Sequence, residues 1–384
     1  MRYLVALAAV GVGLAGPAWA GKNDILIGVD EKIVYDANAG VRFGPGKDAL
    51  LVMDITNPAK PRIRASLPLM NSLVGPPTNL QITPDGKLAL LANSVVNTLD
   101  GTVWKETPDD KLFVVDLTAN PPKLVDTLAI GKQPSGLAIS RRGDLALVAN
   151  RAGKSVSVLS IQNGVVKLIG DVALPKPAAA VAITPDGKRA FICFNTINKV
   201  GVLAIDGTKV TYDAALDIPA GLNPYNVDIT PNGRFAVVSG TGAGGNNGDA
   251  VMVIDATGAH PHVAEMTTPG NGPEGLAISP DGKWVVTPLL LGTGAKYSDW
   301  FYTKTGAAAL MSLGSEGQLT RVNTVKIGGL PEGVAFSPRG DYVYVGNYHD
   351  RNLQVLRISN GKLTDTGIKL SLPGQPASIR APAR

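Results

Sequence analysis

The chain has 384 residues, long for one average domain, and its formal charge of +5 comes from lysines and arginines scattered along its length. No basic stripe with interleaved aromatics is present, so nucleic acid is excluded as an expected partner. A single cysteine, Cys193, excludes an internal disulfide, and three histidines argue against a multi-histidine redox centre.

Residues 1–20 read as a secretory signal peptide. Arg2 gives a short basic start, Leu4 to Leu14 is apolar, and Ala18-Trp19-Ala20 is a small-x-small cleavage signal before Gly21. The apolar stretch is shorter than the ~20 residues a spanning helix needs. No later segment is long and apolar enough to span, so the mature chain, 21–384, is expected in the periplasm or outside the cell.

The composition favours strands: many Val, Ile and Thr, with 45 Gly and 28 Pro for turns, and no sustained helical periodicity. The segment Ile25 to Leu69 contains one clear strand, Leu50 to Ile55, and Gly44-Pro45-Gly46 stands where a degenerate turn would be. From residue 77 onward a unit of strand, tight turn and strand recurs. Its turns are Thr83-Pro84-Asp85-Gly86, Ser140-Arg141-Arg142-Gly143, Thr184-Pro185-Asp186-Gly187, Thr230-Pro231-Asn232-Gly233, Ser279-Pro280-Asp281-Gly282 and Ser337-Pro338-Arg339-Gly340. Proline presets φ, Asp or Asn bonds its own backbone, and glycine accepts positive φ. The turn glycines are 57, 44, 46, 49 and 58 residues apart, the period of propeller blades.

Two spacings are long because two units carry insertions, Ser94 to Asp110 and Leu289 to Ala308; the latter contains Tyr297, Trp300, Phe301 and Tyr302. A glycine-rich loop, Gly240 to Gly248, lacks the Gly-Lys-Ser/Thr ending of a phosphate cradle and opens no helix. At the end, Gly374-Gln375-Pro376-Ala377-Ser378-Ile379 repeats the pattern of Gly131 to Leu137, an inner strand with no chain left to complete its blade. Pairing it with the N-terminal segment, which lacks that strand, gives an all-β, seven-bladed β-propeller and removes two exposed edges. No linker separates a second domain.

The repeat resembles the YVTN family of β-propeller proteins, whose Ser/Thr-Pro-Asp-Gly turn is followed by a strand ending in Asn. Asn93, Asn150 and Asn347 each stand seven residues after a turn glycine; Asn195 stands eight after Gly187, and Gly240 and Leu289 occupy that place in the next two units. The resemblance covers nearly the whole mature chain. It implies a lactonase-like propeller superfamily whose members are binding scaffolds, cell-surface proteins, companions of periplasmic quinone-dependent dehydrogenases, or relatives of sugar-lactone hydrolases.

In a propeller, the loops entering the inner strands and those after the second strands open on one face, and loops on a rigid scaffold commonly carry function. The first set includes Thr78, Asn79, Ser135, Tyr225, Asn226, Glu274, Glu332 and Ala377; the second includes Lys105, Arg151, Asn246, Asn247, Tyr297, Trp300 and His349. Glu274 and Glu332 stand in Pro-Glu-Gly in adjacent units. Such a pair can share a proton, coordinate a hard cation with Asn79 and Asn226, or act as acid and base, whereas the ordinary fate of each is capture by backbone N–H groups of a neighbouring blade. His349 beside Asp350 is a candidate base or an ordinary loop histidine. Asn79, Tyr225, Asn226, Tyr297, Trp300 and Arg151 are candidate ligand-binding residues. His260 and His262 form a lone pair with too few ligands for a metal, so no metal site is expected. Cys193, within Phe191 to Phe194, reads as a core residue. No cofactor motif, Gly-x-Ser-x-Gly elbow or paired cysteine occurs.

Two functions from different classes follow. One is an exported scaffold that binds a partner protein or small ligand on the loop-rich rim. The alternative is a lactonase-like hydrolase of a sugar lactone, with Glu274, Glu332 and His349 as acid and base groups.

Overall fold

The structure, a computed structural model, describes residues 23–37, 39–243 and 247–383; the expected signal peptide and Asn246 lie outside them. Seven antiparallel sheets form the blades of a propeller. Blade one takes its inner strand from the C-terminus: Pro376–Arg380 pairs with Asp24–Val29, which pairs in turn with Ala49–Asp54 and then Arg62–Pro68. Each later blade is contiguous, with its four principal strands paired in chain order from the axis outward. Seven apolar clusters fill the wedges between neighbours. Leu145, Ala149 and Val156 of blade three pack on Ile192 and Phe194 of blade four, and Ile25, Leu51 and Met53 of blade one pack on Tyr344 and Val355 of blade seven. Cys193 is fully buried in the wedge between blades four and five, and burial pushes its thiol pKa up, which makes it unreactive.

The turn chemistry is local. Thr83 Oγ1 donates to Asp85 Oδ1 at 2.6 Å and accepts from the Leu88 backbone N–H at 3.0 Å, while Gly86 takes φ +74°. Where arginine replaces the turn aspartate, the next residue after the glycine supplies the acceptor: Ser140 donates to Asp144 at 2.7 Å and Ser337 to Asp341 at 2.9 Å. The strand-ending asparagines brace the opposite end. Asn150 Nδ2 reaches Ser155 and Ser157, and Asn347 Nδ2 reaches Asn352 and Gln354.

Two elements depart from expectation. A separate hairpin, Ile33–Asp36 with Ala39–Arg42, is inserted between the second and third strands of blade one. The Ser94 to Asp110 insertion is no loop but a ribbon that lengthens two strands of blade two into Leu88–Asp100 and Val103–Asp116. By contrast, the Leu289 to Ala308 insertion has turns and no strand of its own until Ala307.

Candidate functional site

Prolines begin most of the inner strands at one end of the channel, each facing the last residue of the second strand: Pro134 opposite Asn150, Pro224 opposite Gly240, Pro331 opposite Asn347. Proline is tolerated as the first residue of a strand, where its missing N–H breaks no ladder bond. The residue after each proline therefore forms a ring around the mouth: Ala377, Thr78, Ser135, Ala178, Tyr225, Glu274 and Glu332 in blade order. Four of these are small and uncharged. The other three, from blades five, six and seven, carry a phenol and two carboxyls, so the chemistry is confined to one side of the ring.

Above them is a cavity of about 820 Å³. Its floor and one wall hold Tyr225, Glu274 and Glu332, with Arg151 from the turn after the second strand of blade three. Tyr35 and Arg42 of the inserted hairpin and Glu106 of the blade-two ribbon form a second wall. Asp299 and Phe301 from the blade-six insertion complete it. Below, the Thr78 hydroxyl of blade two donates to Asn226 of blade five at 3.4 Å, spanning the axis.

The hairpin is held over the mouth by a buried ionic knot. Lys32, only 1 % exposed, pairs with Asp30 at 3.1 Å and with Asp48, and donates to the Asn71 carbonyl. Asp30 accepts the Leu73 N–H at 2.6 Å, which also fixes the neighbouring apolar wall around Leu73. Asn97 of the ribbon donates to the carbonyls of Lys32 and Phe43, and Tyr348 donates to the Ile33 carbonyl at 2.8 Å. Trp104 packs against Gly44, where a side chain would collide with the indole at 2.8 Å.

Electrostatically the site is unequal. Glu332 is 2 % exposed and its Oε2 has no hydrogen-bond partner, so the ordinary capture by backbone N–H groups does not occur at that oxygen. Burial raises its pKa well above the usual carboxylate range, and the charge of Glu274 adds to the rise. Burial pushes Glu274 up to about 7 against the opposing pull of Arg151. The Ser239 and Thr287 hydroxyls hold the Glu274 and Gly275 carbonyls at 3.0 and 2.7 Å, fixing the Pro-Glu-Gly backbone. The Arg151 guanidinium lies 5.8 Å from the centre of the Tyr225 ring. Arg42 pairs with Glu106 at 2.9 Å. Burial and the nearby glutamates raise the phenol pKa values of Tyr35 and Tyr225.

Of the residues singled out by sequence, Glu274, Glu332, Tyr225 and Arg151 meet at this cavity. His349 lies behind its wall, its ring 5.4 Å from that of Tyr35; its Nε2 is buried without a partner, and burial lowers its pKa despite Asp350. Asn79 is buried and structural, donating to Asn71 Oδ1 and the Ala92 carbonyl. Asn226 turns its Oδ1 to Thr78 and its own chain, below the cavity. Tyr297 stacks on Tyr302 at 4.5 Å and Trp300 is 82 % exposed, both on the outer rim rather than the cavity wall. No group of three or more His, Cys, Asp or Glu suited to a metal ion occurs among the described residues. Sequence reasoning missed Tyr35, Arg42 and Glu106, although the β-branched and aromatic run Ile33-Val34-Tyr35 was a strand signal.

No protein-family model matches the chain, and no curated protein matches it. Solved structures do. A periplasmic gluconolactonase of Pseudomonas aeruginosa superposes with a TM-score of 0.67 at 17% identity, covering 93% of this chain and 98% of that one. A putative 6-phosphogluconolactonase of Bacteroides fragilis gives 0.66 at 17%, covering 93% and 97%. The hydrazine synthase of Kuenenia stuttgartiensis gives 0.61 at 19%, covering 81% and 90%. These likenesses show a shared propeller fold. No helix among the described residues is long and apolar enough to cross a membrane.

Proposed function

We propose that the protein is an exported hydrolase that opens a lactone in the upper cavity, with Glu274 as base and Glu332 as acid. The observation that carries this reading is the pair itself. Two carboxyls at equivalent places in adjacent blades face one cavity, both raised by burial; Arg151 opposes the rise at Glu274, while the charge of Glu274 adds to the rise at Glu332. Environments that push two carboxyls apart in pKa commonly mark an acid and a base. The lactonases among the structural neighbours and the YVTN-like repeat support the scaffold's capacity for such chemistry, by analogy of fold.

In the reaction, ionised Glu274 takes a proton from a water as its oxygen bonds to the lactone carbonyl carbon. Negative charge develops on the carbonyl oxygen, toward which Arg151 offers a cation inside a partly desolvated space. The bond from acyl carbon to ring oxygen then breaks. Glu332 gives its proton to that oxygen, which leaves as a hydroxyl, and the proton on Glu274 restores Glu332. Lactone and water become one hydroxy acid, with no other reactant.

The test is proton release from a panel of δ-lactones, followed by pH-stat above the uncatalysed rate. Glu274→Gln and Glu332→Gln should each lower kcat by on the order of 10²–10⁴. Unchanged turnover in a variant removes that residue's role, and no turnover of any lactone by the wild type rejects the reading. A second reading, a rim that docks a protein, draws on the exposure of Trp300 and Tyr297, 82 % and 53 %.

A further inference from the structure

We infer that the cavity takes lactones carrying an aliphatic side chain in preference to polyhydroxylated ones, an inference that rests on the hydrolase reading above. The observation behind it is a hydrocarbon wall. Ile33, Leu73 and Leu330 belong to one apolar cluster, Val74 and Leu290 pack half-buried against it, and all five border the cavity. The backbone N–H groups of Leu73, Val74, Leu290 and Leu330 are committed within the fold. Leu73 donates to Asp30 at 2.6 Å and Val74 to Ser72 Oγ at 3.1 Å. Leu290 donates to the Gly272 carbonyl at 3.0 Å and Leu330 to Thr293 Oγ1 at 2.9 Å. The wall adjoins the reacting carboxyls: Leu330 stands two residues before Glu332 in the chain, and Ala377 of the same cluster follows Glu332 around the mouth.

A bare δ-lactone has about seven non-hydrogen atoms and takes roughly 200 Å³ at the ~30 Å³ share of one water. The cavity of about 820 Å³ therefore leaves most of its space to whatever the ring carries. A hydroxyl set against the wall would give up water for hydrocarbon, whereas an alkyl chain is favoured by leaving water. Each methylene that moves onto the wall is worth about threefold to fourfold in affinity. The carboxyls and Arg151 engage the ester group, and the chain lies along Leu73, Val74 and Leu290. A sugar lactone would depend instead on lining groups such as Thr241 and Asp299 for its hydroxyls, and the experiment sets the two surfaces against each other.

The experiment compares kcat/KM for δ-valerolactone, δ-octalactone, δ-decalactone and glucono-δ-lactone, with binding of the matching alkyl δ-lactams, which do not turn over, by calorimetry. The expected result is a rise of about threefold per added carbon from δ-valerolactone to δ-decalactone, which ends above glucono-δ-lactone. Val74→Thr, nearly the same in shape, and Leu290→Asn should each flatten that rise; an undiminished slope in both overturns the inference. A flat series in the wild type, or a kcat/KM for glucono-δ-lactone equal to or above that for δ-decalactone, also overturns it while leaving the hydrolase reading intact. If no lactone is hydrolysed, the hydrolase reading fails and the lactams decide: affinity that climbs with chain length sustains the apolar wall as a binding surface, and affinity independent of chain length, or no binding, overturns it.

Discussion

The two ends of the central channel make opposite use of charged groups. At the end bearing the tight turns, the C-terminal tail crosses from blade one to blade two: Ala383 donates to the Ile82 carbonyl at 3.0 Å, and Gln81 donates to the Ala381 carbonyl at 3.3 Å. Arg380 gives its Nε–H to Gln81 Oε1 at 2.8 Å and faces the charge of Asp228, which opposes the downward pull of burial on its pKa. The space left there is about 130 Å³. At the other end the cavity is about 820 Å³, and Glu332 Oε2 is buried with no hydrogen-bond partner. A half-buried charge with matched partners joins blades; a buried carboxyl without them is held in a costly state that a ligand or a proton can relieve.

That contrast can be broken from either end. The largest effect is expected from deleting residues 373–384, which removes the inner strand of blade one and exposes both an edge and the wedge around Ile25 and Ile27. Cooperative thermal unfolding should shift down sharply or vanish; an unchanged melt would show that the ring closes without this strand. Exchanging each end's arginine for methionine should separate the two roles. Arg380→Met should cost about 1–3 kcal/mol in denaturant unfolding, the price of a lost charged hydrogen bond. Arg151→Met should instead lower lactone turnover at least tenfold with a smaller change in stability. Equal stability losses would erase the proposed difference between the ends.

The pH response sharpens the comparison. If ionised Glu274 is the base, kcat should rise with pH through about 7. Stability should move the other way. Because the folded-state pKa lies above the ordinary glutamate value of 4.5, the folded state binds more protons than the unfolded chain between about 4.5 and 7. Folding therefore weakens as pH rises through that window, and Glu274→Gln should flatten this part of the stability profile. The smallest effect is expected from Trp300→Ala: its ring is 82 % exposed and off the cavity wall, so hydrolysis should stay within about twofold. A large loss would move the working surface to the outer rim.

Much of the ring was readable from the chain because its signals are short. Thr83, Asp85 and Gly86 close a turn within a few residues, and turns of this kind occur six times in all. The acceptors Asp144 and Asp341, which replace the missing turn aspartate, were equally near in sequence and were legible in principle. Glu274 and Glu332 could be placed together because they fill the same slot of a repeat. The inserted hairpin and the blade-two ribbon were not legible, since neither repeats and each is fixed by distant partners such as Asn97 on Lys32 and Tyr348 on Ile33. Asn79 looked like a mouth residue by slot, yet its amide is consumed by Asn71 and Ala92.

By itself, then, the order of amino acids determined the strand-turn-strand unit, its number of copies and the two glutamates at matching positions, since backbone turn chemistry and strand alternation act over a handful of neighbours. Tertiary structure alone decided which groups share the cavity and which of them lack a partner. Arg42 and Glu106, or Arg151 and Tyr225, come together only when separate blades and insertions meet over the axis. Desolvation depends on everything around a side chain, and no local stretch of sequence contains that information.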